Sequence, residues 1–147
     1  RKRLFPVFRI VFLLSILLIL TACEHSPDIG PGPLAGFSER VTALVTTTVR
    51  GQLRDNPPKQ KLLVAQLPSF EKMATMYQLI EELKGIDPLK NLAYLIEADI
   101  MFELQKPEHH YERSNFNSSE VQRQLVSAIL AGMKKALAQL KGGKDGK

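Results

Sequence analysis

Residues able to do chemistry fall in two places. Cys23 is the only cysteine among 147 residues. A lone thiol can act as a nucleophile, ligate a metal or carry a covalent modification, and a catalytic thiolate needs a base brought beside it by a fold. The nearest histidine in the chain, His25, stands in a stretch rich in Pro and Gly. The second place is "PEHHYERSNFN" at 107–117. Glu108, His109, His110 and Glu112 carry metal-ligating groups, but adjacent side chains rarely converge on one ion and helical ligand pairs favour i,i+4 spacing. The segment therefore reads as a solvated loop, with Tyr111 and Phe116 either packing it down or offering contacts to a partner.

The remaining acids and methionines read as structural. Glu81, Glu82, Glu97, Asp99 and Glu103 lie in amphipathic segments, where carboxylates usually mark the wet side. Met73, Met76, Met101 and Met133 read as core filler. The chain has no Gly-rich phosphate loop and no Cys/His metal spacing. The expectation is a protein that is not an enzyme, with no catalytic residues, metal or cofactor.

The residues upstream decide what Cys23 does. "RKRLFPVFR" carries four positive charges and no acid, and "IVFLLSILLIL" follows with Ser15 as its only polar member. A charged start, a short apolar run and small residues at Thr21 and Ala22 form a secretory signal over residues 1–22. Its apolar run is shorter than the roughly 20 residues of a membrane span. "LTAC" at 20–23 resembles the lipobox of bacterial lipoproteins. That resemblance implies a diacylglycerol on the Cys23 thiol, cleavage before it and acylation of the new amino terminus. Such a multi-chain anchor would be stable, since each buried methylene contributes about 0.8 kcal/mol. The chain opens on Arg1 rather than Met, so further residues are expected ahead of it.

Cleavage before Cys23 would remove four bases and no acid, and the formal charge would fall from +5 to +1. The basic character of the whole chain then belongs largely to the signal, and a nucleic-acid partner is not expected. With Cys23 lipidated no thiol remains for a disulfide. "EHSPDIGPGPLAG" at 24–36 has three Pro and three Gly in thirteen residues, the composition of a flexible tether. Residues 23–36 are therefore expected as lipidated Cys and tether, 37–141 as the folded domain and 142–147 as a disordered basic tail.

Within the domain, apolar spacing points to helices. Val121, Leu125, Ile129, Met133, Leu137 and Leu140 recur at steps of three and four behind a Ser118 or Ser119 cap, and Gly142 offers a stop. Phe70, Met73, Met76 or Tyr77, Ile80 and Leu83 predict another helix ending at Gly85, with Asp87-Pro88 as cap and first residue of the next. Two segments support two readings each. "LKNLAYLIEADIMFELQK" has a helical stripe of Leu89, Leu92, Ala93, Ile96, Ile100 and Leu104, but residues 92–104 also alternate as a strand would. "FSERVTALVTTTVRGQLR" has a helical face, yet its "TTTV" is β-branched and could pair with "KLLVAQL" as a hairpin. Otherwise Asn56-Pro57 would open a short helix that Pro68 ends. The fold expected is mainly α, a small antiparallel helical bundle or stacked helical hairpins. The alternative is α+β, with a β-hairpin and a strand at 92–104.

"FEKMATMYQLIEELKGIDPLKNLAYLIEADIMFELQKPE" resembles the junction between tetratricopeptide repeats through Leu83, Asp87 and Pro88. The resemblance implies stacked helical hairpins. The function expected is a lipid-anchored interaction or assembly protein, and the lipoprotein resemblance implies the periplasmic face of the outer membrane, since Glu24 follows the Cys rather than the Asp associated in that family with inner-membrane retention. Its partner is expected to be another envelope protein, in the manner of a pilotin or assembly accessory. Tyr94, Phe102, Tyr111 and Phe116 are the candidate contacts, with Lys134 and Lys135 steering association. The alternative function, tied to the α+β fold, is an accessory of lipid or lipopolysaccharide transport.

Overall fold

The first helix starts inside the expected tether. The computed structural model describes residues 32–145, and helix α1 spans Gly32–Leu53. Pro33 stands in its first turn, where the missing N–H has no intrahelical partner to lose. Phe37, Val41, Val45, Val49 and Leu53, four residues apart, are buried. The β-branched run does not divert the chain into a hairpin. Thr46 Oγ1 donates to the carbonyls of Thr42 (2.6 Å) and Gly132 (3.3 Å), and Thr47 Oγ1 donates to the Ala43 carbonyl at 3.0 Å. The hydroxyls are thus satisfied within helical geometry.

Helix α2, Pro57–Phe70, is capped by Asn56, whose side chain accepts from the Lys59 N–H at 3.2 Å. Pro68 does not end it; the proline sits inside the last turn, and Val64, to whose carbonyl it can offer no N–H, lies on the exposed side. The long helix expected from Phe70 to Leu83 is broken. Phe70 closes α2, and α3 runs only Met76–Lys84. The reason is local: Thr75 Oγ1 accepts from the Gln78 N–H at 3.2 Å, and Gln78 Oε1 accepts from the Ala74 N–H at 2.9 Å. This is close to a capping box. The first N–H of α3, on Met76, is met by buried Gln122 Oε1 at 2.9 Å.

A 3₁₀ turn at Asp87–Leu89 leads into α4, Lys90–Leu104. Asp87 is inside that turn and makes no capping hydrogen bond, contrary to its expected role. Residues 92–104 are helical, and among the described residues there is no strand, so the α+β alternative and its hairpin are set aside. Leu92, Ala93, Ile96, Ile100 and Leu104 face the core, as the helical stripe requires. A second 3₁₀ turn, Pro107–His109, precedes the short helix α5, His110–Ser114. Helix α6 then spans Ser119–Asp145, its start held by Ser118 Oγ, which accepts from the Val121 N–H at 3.2 Å. It continues past Gly142, where it had been expected to stop.

Helices α3 and α4 form a hairpin pinned by Lys84, which bridges Glu81 and Glu97 and sits 4.7 Å above the Tyr94 ring. Helices α1 and α6 instead run parallel. Ser38 meets Gln124, Thr42 the Ala128 carbonyl and Thr46 the Gly132 carbonyl, so contact advances in the same direction along both. Gly132 is what lets them approach: a Cβ there would come within 2.7 Å of Val45 Cβ and 2.9 Å of the Thr42 carbonyl. The described residues from Pro33 onward make one compact unit. Its core joins these stripes with Leu63, Phe70, Leu79, Ile80, Leu83 and Met133.

Candidate functional site

The last turn of α4 and the two short elements after it enclose a cluster of charged groups. Glu103, 2% exposed, lies on the buried side of α4, not the wet side expected of it. Lys106 Nζ reaches its Oε2 at 2.7 Å, and Arg40 Nε of α1 reaches its Oε1 at 3.4 Å. His109 Nε2 is 3.0 Å from the same Oε1. The 3₁₀ turn carries His109 under α1, where its ring stands 4.9 Å from that of Phe37 at an angle of 59°. Helix α5 then brings Glu112, 1% exposed, to the other edge of the imidazole, its Oε2 3.9 Å from Nδ1. Arg113 closes the end of α4 by donating to the carbonyls of Leu104 (2.8 Å) and Lys106 (3.3 Å).

Burial alone would push the Glu103 carboxyl up, but the hydrogen bonds from Lys106, His109 and Arg40 together hold it down at about 2. It is therefore a carboxylate throughout the ordinary pH range. Glu112 Oε2 is buried with no hydrogen-bond partner. Ligand atoms of Glu103, Glu108 and His109 all lie within 4.8 Å of one another. The reading of 107–117 as a solvated loop thus fails at His109 and Glu112, while Glu108 and His110 are exposed. The fold bends the chain at Lys106-Pro107, and this bend brings His109 back against Glu103 across a break that no helical spacing describes.

The residues expected to contact a partner separate into distinct surfaces. Tyr94 and Phe102 share the outward face of α4 and are 49% and 75% exposed. Asn91, Leu95, Ala98 and Gln105 complete that face, all exposed and none charged. The acids of α4 are turned aside and held within the fold: Glu97 by Lys84 at 3.4 Å, Asp99 by the Thr48 hydroxyl, and Glu103 as above. Tyr111 is exposed on α5. Phe116 is not an open contact; it is partly buried and meets Tyr77 edge-on at 6.0 Å. Lys134 pairs with Glu71 at 2.7 Å on the rim of a groove of about 520 Å³ floored by Met73, Val126 and Leu130. Lys135, beside it on α6, is exposed.

Leu95, 40% exposed on the same face, is not singled out by the sequence, because its place in "NLAYLIEAD" fits either face of an apolar helix. Cys23 and the segment ahead of it lie outside the described residues. Among those described, no helix is long and apolar enough to cross a membrane. Compared with known proteins, the chain matches no family model, no curated protein and no solved structure.

Proposed function

We propose that this chain is a lipid-anchored interaction protein of the bacterial envelope, tethered through Cys23 at the periplasmic face of the outer membrane, and that it binds another envelope protein through the outward face of α4. The observation carrying the interaction is that face: from Asn91 to Gln105 it presents Tyr94, Leu95, Ala98 and Phe102 to solvent with no charged side chain of α4 among them, Lys84 of α3 standing at its edge over the Tyr94 ring. It extends about 21 Å at the helical rise. A helix apolar on both sides is normally covered on both, and here only one side is covered by its own chain. Aromatic side chains dominate binding at protein interfaces because they bury large area at small entropic loss. The anchor rests on the ordered charge, apolar run and "LTAC" of residues 1–23. The role is assembly or escort rather than catalysis, and no nucleic acid is involved. No specific observation favours lipid or lipopolysaccharide transport.

Two variants test the two halves separately. Cys23→Ser is expected to abolish incorporation of a fatty-acid analogue and to leave unprocessed precursor in the inner membrane; unchanged labelling rejects the anchor. Tyr94→Ala/Phe102→Ala leaves the core untouched, because both side chains are exposed. It is expected to weaken recovery of the partner from envelope extracts by about 2 kcal/mol or more, roughly thirtyfold. A normally folded double variant that retains every partner rejects the α4 face.

A further inference from the structure

We propose that Glu103, Glu108 and His109 form a site for a divalent cation, Zn²⁺ by donor type, with Glu112 orienting the imidazole from behind. The inference starts from an imidazole facing acceptors on both edges: Nε2 stands 3.0 Å from Glu103 Oε1, and Nδ1 stands 3.9 Å from Glu112 Oε2. A neutral imidazole carries one N–H. Whichever nitrogen holds it, the other turns a lone pair toward a carboxylate oxygen. The deficit is visible at Glu112 Oε2, which is buried and has no hydrogen-bond partner. A cation on Nε2 resolves both edges. It takes the lone pairs of Nε2 and Glu103 Oε1, and it fixes the proton on Nδ1, aimed at Glu112. That carboxylate–histidine–metal arrangement is the usual way a ligating His is held.

The separation of the two buried ligand atoms suits such an ion. Two ligands of one tetrahedral zinc, each at about 2.0–2.2 Å, stand roughly 3.3 Å apart, near the 3.0 Å between Nε2 and Oε1. Glu108 holds a third ligand atom within 4.8 Å of the other two, and its exposed side chain must turn inward to reach bonding distance. Solvent can therefore reach the site and fill the fourth position. Two cations already stand on Glu103 and must be accommodated. Lys106 binds Oε2 at 2.7 Å and can remain there. Arg40 shares Oε1 at a long 3.4 Å from a side chain 60% exposed, and it can swing into water. One imidazole with carboxylates suits Zn²⁺ better than the all-oxygen shell of Mg²⁺ or Ca²⁺.

The test is a ZnCl₂ titration of the full chain carrying Cys23→Ser, which removes the thiolate beside His25. Calorimetry gives stoichiometry and affinity, and thermal unfolding gives the shift. One ion per chain and a raised Tm are expected. Glu108→Gln changes an exposed residue outside the core and is expected to weaken binding at least tenfold while leaving the zinc-free Tm unchanged. Glu112→Gln should weaken it 10–100-fold. His110→Ala, exposed and outside the cluster, should bind as the parent does. No saturable binding, or binding unaffected by Glu108→Gln, overturns the site. Loss on His110→Ala overturns it equally.

Discussion

Glu103 shows how far a single residue's role can depart from its appearance in the chain. A carboxylate in a helix that also carries Glu97 and Asp99 looks like one more solvated acid. It becomes the anchor of α1, α4 and the 107–109 turn because Arg40, Lys106 and His109 converge on it. None of these contacts repeats at a helical interval except Lys106 at i+3, so spacing alone could not single it out. Its carboxyl is held at about 2 against an ordinary value of 4.5. A carboxylate with a depressed folded value contributes stability that is fully present above pH 4.5. That contribution is lost as the pH falls from there toward 2. Urea midpoints measured between pH 6 and pH 2 should therefore fall for the parent chain. Glu103→Gln should be less stable than the parent at pH 6 and should lose less over the same window. Parallel curves would mean that this network contributes nothing to the acid limb.

At the scale of elements, the periodic signals survived and the local punctuation was misjudged. Ile96 and Ile100 were legible as core, and both are fully buried. The Val121–Leu140 stripe was equally legible, since a long amphipathic helix states its period many times over. Thr-Met-Tyr-Gln at 75–78 has capping-box spacing, but Met73 and Met76 continue the spacing of a helical face across it and mask the Thr75 cap. Pro68 and Gly142 do not stop their helices, because near a helix end few backbone bonds depend on them. The threonines of α1 were ambiguous for a different reason. Their place in a helix depends on α6, whose Gly132 carbonyl Thr46 bonds and whose missing Cβ Val45 fills. A single-sequence reading has no access to that pairing. Gly132→Ala tests it: the added methyl meets backbone as well as side chain, and overpacking of this kind costs about 1–3 kcal/mol. Thermal unfolding followed by circular dichroism should show the loss. A variant as stable as the parent would mean that α1 and α6 are not in the contact described.

For the whole molecule, the helices divide the labour between holding the fold and presenting a surface. Helices α1 and α6 run parallel, so the chain must return between them, and α2 to α5 make that return. Helix α4 is the element with apolar residues left over, and every acid along it is tied to a neighbour within the fold. What remains outward is a charge-free strip of Tyr94, Leu95, Ala98 and Phe102. Site-specific photo-crosslinking in intact cells tests most directly whether that strip is where a partner sits. A photoreactive phenylalanine analogue at Phe102 should yield a discrete crosslinked protein. The same probe at Gln52, exposed on α1, should yield none, and Tyr94→Ala should reduce the Phe102 product. A chain that gives no adduct from position 102, or the same adducts from both positions, would contradict the assignment of α4 as the interaction surface.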